Sequence, residues 1–440
     1  MLKTFKQGGV HPPEYKFTQD RPIETASLPK MVTLPLTQHI GAPAKPVVKK
    51  NDTVKVGDLI AEGEGFVSAK VHASVSGTVK KVDKISDYNG YKVPAIVIET
   101  DGDEWNEDID KNNNLRDQID IPADEIRTKI RDAGIVGLGG AAFPTHVKIT
   151  VPQGKTAEYL IINGAECEPF LTADHRLMLE HTKEILIGAQ LVKRALGARQ
   201  VYIGIEHNKP DAISAFKKML KGLADVRIIP VRTKYPQGAE KQLIKAITGR
   251  EVPSGGLPID AGVVVLNVGS TYASYEAVQK NKPLIERFVT VSGKHVSNSS
   301  NFRVRIGTPV SHLIDTAGGI PENTGKILLG GPMMGKAMIN LDAPVVKGSS
   351  GIVILPDELT RRRPVRNCIR CARCVSKCPM GLEPYLLMNM VETEQFEQFE
   401  KRAAMDCIEC GSCNFICPAS RPLLDYIKLG KTEVRNRKKK

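Results

Sequence analysis

Eight of the nine cysteines fall in two matched runs near the C-terminal end. Cys368, Cys371, Cys374 and Cys378 precede Pro379, and Cys407, Cys410, Cys413 and Cys417 precede Pro418. Both runs read C-x2-C-x2-C-x3-C-P, the bacterial spacing for a pair of [4Fe–4S] clusters, in which the fourth Cys of each run ligates the other run's cluster. A cubane offers four irons, each needing one thiolate. Three thiolates at three-residue spacing wrap a tight loop around three corners, and the fourth comes from elsewhere. The proline stops the loop from running on as regular helix. The motif therefore assigns Cys368, Cys371, Cys374 and Cys417 to one cluster, and Cys407, Cys410, Cys413 and Cys378 to the second. Structural zinc uses two separated C-x2-C pairs and has no task for a third Cys. A disulfide framework suits small secreted chains. Two nearby clusters move electrons singly, so the rest of the chain has to explain where those electrons come from.

With 440 residues, 41% hydrophobic and 25% charged, the chain reads as three or four globular domains. The N-terminus shows no signal-peptide h-region, and no apolar run reaches the about 18 residues of a membrane span. The expectation is a soluble or peripheral protein in a reducing compartment. The formal charge is +13. Part of it is local: Arg361, Arg362 and Arg363 precede the first cysteine run, and Arg435 to Lys440 form a basic tail. These read either as a solvated linker and disordered tail, or as contacts for an anionic membrane surface or an acidic protein. No helix-turn-helix, zinc finger or aromatic-laced basic face supports nucleic acid.

Phe5 to Tyr15 is rich in Gly and Pro and reads as an extended arm. From Met31 to Thr100, short apolar runs separated by turns predict an all-β unit. Within it, DTVKVGDLIAE followed by HASVSGTV is similar to a barrel-sandwich hybrid of the lipoyl and biotinyl type. The carrier Lys is missing from the hairpin that holds Val71 to Ser74, and Lys70 lacks the usual flanks, so a docking or covering module is expected. His72 in that turn either faces an active site or is a surface or packing residue. Asp101 to Asp117 reads as an acidic linker.

Pro122 opens a helical stretch with Ile126, Ile130 and Ile135 on one stripe. It runs into Gly137-Leu138-Gly139-Gly140, followed by Phe143 and Lys148. Glycines let backbone N–H groups approach a phosphate, and the Lys adds charge; alone, the loop is equally a tight turn. The strand Glu158 to Ile162 then ends in Asn163-Gly164-Ala165-Glu166-Cys167-Glu168-Pro169, and ligands in open α/β sheets bind at that edge. Asp174, His175 and Arg176 lead into a helix from Leu177 to Leu196. Further strands at Val201 to Glu206 and Val226 to Val231, with a helix at Asp211 to Leu223 between them, complete a βαβ alternation.

The motifs GLGGAAFPTHVK, INGAECEP, YPQGAEKQL (Tyr235 to Leu243) and AGVVVLNVGS (Ala261 to Ser270) resemble, in order and spacing, the flavin- and NADH-binding subunit of NADH:quinone oxidoreductase. With GGVHPP at the front, GGPMMG (Gly330 to Gly335) later and the two cysteine runs at the end, nearly the whole chain resembles the RnfC family, found in the ion-translocating ferredoxin:NAD oxidoreductase (Rnf) complex. The resemblance implies a multidomain chain, α/β plus all-β plus α. Its parts would be an N-terminal arm (1–30), a barrel-sandwich hybrid with linker (31–118), a Rossmann-like FMN/NADH domain (119–285), an SLBB β-grasp domain (286–355), a helical ferredoxin-like domain for two [4Fe–4S] clusters (356–430) and the basic tail (431–440). Pro384 to Met405, between the cysteine runs, is helical in pattern, and Met333-Met334 reads as packing or interface.

By the same resemblance, Gly137, Gly139, Gly140 and Lys148 would bind the phosphate and ribityl chain of a non-covalent FMN, with Asn267 and Ser270 completing the phosphate pocket. Asn163 would meet the flavin, Glu166 and Glu168 would sit where nicotinamide stacks on it, and Phe143 would flank the NADH adenine or serve as plain core. In the turn of Gly238 and Glu240, the Glu would take a ribose hydroxyl, which favours NADH. Leu138, Ala165 and Ala239 depart from the quinone-reductase pattern, which has Arg, Asp and often Glu there. Cys167 reads as a small buried residue. A flavin between NADH and the clusters converts a two-electron carrier to one-electron carriers, so no acid, base or nucleophile is expected. Implied partners are NADH and the other subunits of a membrane complex, including a ferredoxin-like subunit and membrane flavin subunits, at the cytoplasmic face of the inner membrane. The alternatives are a soluble flavin/iron–sulfur cobalamin reductase and a relay subunit with a vestigial nucleotide site.

Overall fold

Four apolar strands form a parallel sheet at the centre of the molecule, ordered Val226–Val231, Gln200–Glu206, Tyr159–Gly164, Val263–Asn267. Their faces are buried by the helices Ala123–Asp132, Thr182–Leu196, Glu240–Thr248 and Val268–Lys280. The computed structural model describes residues 2–438. Covered on both sides, the strands carry near-continuous Val, Ile and Leu, as parallel sheets do. Ile126 and Ile130 bury on the first helix, while Ile135 is buried in the loop beyond it.

The barrel-sandwich layer is two small antiparallel sheets. One is ordered Met31–Pro35, Lys92–Thr100, Gly77–Ser86, Thr53–Val54, and the other Lys45–Pro46, Leu59–Glu62, Val71–His72. His72 packs in the strand pair beside Leu59. Burial first, then the charges of Lys347 and Lys70, hold its imidazole down to about 3, a neutral core histidine. The Lys70 ammonium lies 3.4 Å from Glu62 and 3.2 Å from Asp132, anchored between two carboxylates.

A six-stranded mixed sheet follows, ordered Ile23–Thr25, Ser300–Arg305, Glu286–Ser292, Gly351–Pro356, Thr324–Leu329, Lys336–Ala337. Its first strand comes from the N-terminal arm. The arm is extended, as its Gly and Pro content predicts, and it touches three layers. Lys3 pairs with Val231, Val10 with Tyr235, and Gly9 N donates to the carbonyl of Lys377 at 3.0 Å.

Three helical expectations change. The helix expected over Leu177 to Leu196 starts earlier and is two, Ala173–Glu180 and Thr182–Leu196, because His181 (φ −128°) breaks the ladder between them. The stretch between the cysteine runs divides into Pro384–Glu392, Phe396–Lys401 and a short 3₁₀ turn at Ala404–Asp406, with Glu394 and Ala403 in the left-handed region. The basic tail expected from residue 431 continues the helix Leu423–Arg437. Lys431 and Val434 are buried in it because that face packs on the cysteine module. Lys439 and Lys440 lie outside the described residues. Among the described residues, no helix is long and apolar enough to cross a membrane.

Where the barrel layer, central domain and mixed sheet meet, half-buried Glu286 lies 2.6 Å from Lys282, 2.7 Å from Arg303 and 3.2 Å from Arg305. Burial alone would raise its carboxyl, but the three cations overturn that and hold it at about 2, below the usual 4.5. A depressed carboxylate contributes stability that is present above the unfolded value and lost as pH falls through the folded one, here between about 4.5 and 2, worth about 3 kcal/mol. Glu286→Gln is therefore expected to be destabilised by about that amount at pH 7, with the gap to the wild type closing as pH drops through this window. Trp105, the single tryptophan, packs 4.7 Å from the Arg305 guanidinium, so its fluorescence during urea unfolding reads the effect locally. Equal midpoints at pH 7 would refute the assignment.

Candidate functional site

The C-terminal edge of the parallel sheet gathers the residues singled out above. Asn267 ends its strand and caps the helix Val268–Lys280, its Oδ1 accepting from Gly269 N at 2.8 Å. That 13-residue helix points its N-terminus, with unpaired backbone N–H groups and positive dipole, into the site. The glycine loop is laid across it. Ser270 Oγ accepts from Leu138 N at 2.9 Å and donates to the carbonyl of Val136 at 3.2 Å. A Cβ on Gly139 would stand 2.8 Å from the Asn267 amide nitrogen, so only glycine lets the loop lie this close. Gly139 and Gly140 are exposed, Gly137 is partly so, and Phe143 is half-buried behind them.

Lys148 follows on a short helix and reaches across the sheet edge. Its Nζ lies 2.7 Å from Glu240 Oε1 and donates to the carbonyl of Val265 at 3.2 Å. The loop lysine and the helix glutamate therefore meet as a pair. Asn163 clamps two turns together, donating to the carbonyl of Gly238 at 2.8 Å and accepting from Ala165 N at 3.0 Å. Gly238 has no room for a side chain, since a Cβ would collide with the carbonyl oxygen of Ala165. Its N–H points at Cys167 Sγ, 3.4 Å away. Burial pushes that thiol up to about 12, so Cys167 is a neutral packing group.

Glu166 and Glu168 have their carboxylates engaged by backbone. Glu166 accepts from Asp174 N at 2.9 Å and His175 N at 3.2 Å, holding the start of the helix Ala173–Glu180. Glu168 accepts from Met333 N at 3.0 Å and Met334 N at 2.8 Å, which ties the Gly330 to Gly335 turn to the sheet edge. Burial raises both carboxyls, that of Glu168 to about 7 in spite of its two N–H donors.

Three further residues hold this geometry. Lys16 of the arm donates to the carbonyls of Glu166 (2.8 Å), Glu168 (2.8 Å) and Leu171 (2.7 Å). Buried Arg287 donates to the carbonyls of Leu138 (3.0 Å) and Ser349 (2.8 Å), fixing the glycine loop from behind. Asp174 accepts from the Asn267 amide at 2.7 Å. Arg287 had a sequence signal, a cation between the apolar pair Leu284-Ile285 and the run FVTVS. Lys16 had none.

The cysteine module abuts the same edge. Cys378, Cys407, Cys410 and Cys413 line one small cavity, walled by Pro379, Leu382, Leu424 and Ile427. Cys378 thus stands with the second run. Backbone N–H groups point at the sulfurs, Leu382 N at Cys378 Sγ and Glu409 N at Cys407 Sγ, each 3.4 Å. Four thiols with N–H donors around an apolar space fit a cubane, whose sulfur ligands take such hydrogen bonds. Lys431 Nζ, buried, donates to the carbonyl of Cys407 at 2.6 Å and to Glu409 at 2.7 Å. Burial raises the Cys374 thiol, and Cys417 and Cys368 are among its neighbours. Cys368 and Cys371 are exposed.

One side chain spans the two regions. Tyr235 is buried, packs with Cys167 and Val10, and donates its hydroxyl to the carbonyl of Cys410 at 2.7 Å. Beside it, Gln242 donates to the carbonyl of Pro379 at 3.3 Å.

Residues 3–103 match the RnfC barrel sandwich hybrid domain, 130–276 the Nuo51 FMN-binding domain, 288–337 the SLBB domain and 367–421 the 4Fe-4S dicluster domain. The chain is 48% identical to the RnfC-type component of the proton-translocating ferredoxin:NAD(+) oxidoreductase complex of Clostridium ljungdahlii, covering 99% of this chain and 95% of that one. It is 45% identical to the corresponding component of the Na(+)-translocating complex of Acetobacterium woodii (98% and 97%). Against its counterpart in the ion-translocating oxidoreductase complex of Rhodobacter capsulatus it is 44% identical (99% and 84%). A solved NAD+-reducing [NiFe]-hydrogenase shares the fold over 63% of this chain and 54% of its own, with TM-score 0.50 and 20% identity. The order of the four matched domains and the near-complete overlap with these relatives lead to one conclusion: the chain belongs to the RnfC family of the ion-translocating ferredoxin:NAD(+) oxidoreductase complexes.

Proposed function

We propose that this chain is the NAD(H)-reacting peripheral subunit of a membrane ferredoxin:NAD oxidoreductase complex, moving electrons between NADH and one-electron carriers. FMN, when bound, supplies the exchange between a hydride and single electrons. The glycine loop with Gly137, Gly139 and Gly140, the helix N-terminus capped by Asn267, Ser270 and the Lys148 ammonium form the phosphate and ribityl end of its site. Asn163 borders the ring, and Glu166 and Glu168 shape the turn on the nicotinamide side. Phe143, Gly238 and Glu240 line the adenosine side. The arm at 1–30 is shared among three of the domains. The partners are the other subunits of the complex, a ferredoxin-like one and membrane flavin subunits among them, and the chain docks at the cytoplasmic face of the inner membrane.

The observation that carries this reading is Tyr235. Its hydroxyl meets Cys410 while its ring packs on Cys167, between the two turns that bear Glu166 and Gly238. The nucleotide edge and the second-run cavity share a wall in the Tyr235 side chain.

Lys148→Met is expected to lower FMN retention and NADH oxidation on the order of 30-fold, the loss of one charged hydrogen bond, with iron unchanged. The assay is on anaerobically purified protein: iron, sulfide and released flavin, then optical and EPR spectra after NADH. Clusters untouched by NADH in the wild type would leave a relay subunit with a vestigial nucleotide site. Equal flavin content and turnover in the variant would remove Lys148 from the site.

A further inference from the structure

Residues 361–373 read RRRPVRNCIRCAR, and all thirteen are exposed. They hold six arginines and no acidic residue. Most of the chain's other arginines near carboxylates are paired with them, as Arg250 is with Glu158 and Arg421 with Glu392. Here, among the described residues, Arg361 alone has an acidic partner, Asp357 at 2.7 Å. Arg362, Arg363, Arg366, Arg370 and Arg373 stand without one. Exposed Cys368 and Cys371 lie among them, with Val365 (61% exposed) and Ile369 (70%) between.

We propose that this loop is the docking surface for an acidic one-electron carrier protein, which exchanges electrons with the cluster of Cys368, Cys371, Cys374 and Cys417. The inference rests on the function proposed above and names the partner of that electron path. The two cysteine sets differ in what surrounds them. Cys378, Cys410 and Cys413 are buried against the nucleotide domain, whereas Cys368 and Cys371 face outward. Electrons passing the Tyr235 wall from the nucleotide edge thus meet a buried station first and an exposed one after it. A four-thiolate cluster is a net anion and takes up part of the arginine charge. The outer arginines, Arg361 to Arg363, are left for an external anion.

Guanidinium forks match carboxylates in pairs, and a concentrated patch steers an oppositely charged partner to one spot. Val365 and Ile369 add the apolar contacts that an interface core uses. The surface is a loop, not the amphipathic helix that lies in a lipid interface, and a lipid headgroup accepts no electron. In the step itself the reduced cluster loses one electron, the carrier's oxidised centre gains it, and no proton moves.

The test uses holoprotein whose clusters are reduced with dithionite and then desalted, so it does not depend on the nucleotide site. NADH bleaching of the same sample reports on that site separately. The probes are cytochrome b5, which is acidic, and cytochrome c, which is basic. For the wild type, cytochrome b5 reduction is expected to be fast and to slow steeply with salt. In R362Q/R363Q/R366Q its rate constant is expected to fall on the order of tenfold at low salt, with a flattened salt dependence, unchanged iron content and no loss with cytochrome c. The control K217Q/K218Q/K221Q removes three exposed charges next to the helix Pro210–Met219 and on it; it should keep the wild-type rate within about twofold. An equal drop in the control would reduce the effect to net charge and overturn the proposal. So would an unchanged cytochrome b5 rate in the arginine variant, including the case where that variant instead loses co-sedimentation with phosphatidylserine vesicles, which would assign the loop to the membrane.

Discussion

Cys378→Ala protein is expected to carry about four irons in place of about eight, and the cluster that disappears is that of the second run. Cys378 is separated from Cys407 by nearly thirty residues of helix and turn, yet it lines the same cavity as Cys407, Cys410 and Cys413. Removing it leaves three thiols for four irons. The remaining cluster, of Cys368, Cys371, Cys374 and Cys417, keeps its ligands. Because the lost cluster is the one beside Tyr235, NADH should still bleach the flavin while the remaining cluster stays oxidised until dithionite is added. Iron and sulfide analysis with EPR of the NADH- and dithionite-reduced samples reads both effects. Loss confined to the first-run cluster would refute the crossed ligation, and NADH reduction of the surviving cluster at the wild-type rate would refute the order of the two stations.

The second large effect belongs to Lys16. The residue is partly exposed along its stem, but its ammonium is enclosed by the carbonyls of Glu166, Glu168 and Leu171. Burial and the neighbouring Lys209 lower its affinity for a proton, and Glu166 and Glu206 oppose them. Lys16→Met strands three carbonyls in a buried turn. Charged hydrogen bonds contribute about 1.5–3 kcal/mol each and are not additive, so a net loss of about 3 kcal/mol is expected in urea unfolding. The turn that carries Glu166 and Glu168 loosens with it, so KM for NADH should rise while the iron content holds. A midpoint shift below about 1 kcal/mol with unchanged KM would show that the arm only covers the site.

Legibility followed the chemistry. The cysteine spacing is imposed by cubane geometry, so it survives in the linear chain, and Cys378 lines the cavity of the second run. The parallel sheet was readable because strands buried on both faces must be apolar throughout, and Asn163 followed from where one of those runs stops, whereas Asn267 came from the family resemblance. What escaped notice acts across long separations. Lys16 and Tyr235 each serve a backbone carbonyl far along the chain, and a carbonyl leaves no mark in a sequence. The engagement of Glu166 and Glu168 by N–H groups is of the same kind. The break at His181 and the burial of Lys431 were missed because tertiary packing, not propensity, decides them.

The N-terminal arm sets a condition on biogenesis. Its first twenty-five residues leave the ribosome before anything they bind: Val231, Tyr235, Asn301 and Lys377 come much later. Contacts of such separation close slowly, so the arm docks only after the domains that hold its partners have been made. The arm lies across the cysteine module, with Gly8 close against the Cys378 carbonyl, so it can settle there only once that module has been made.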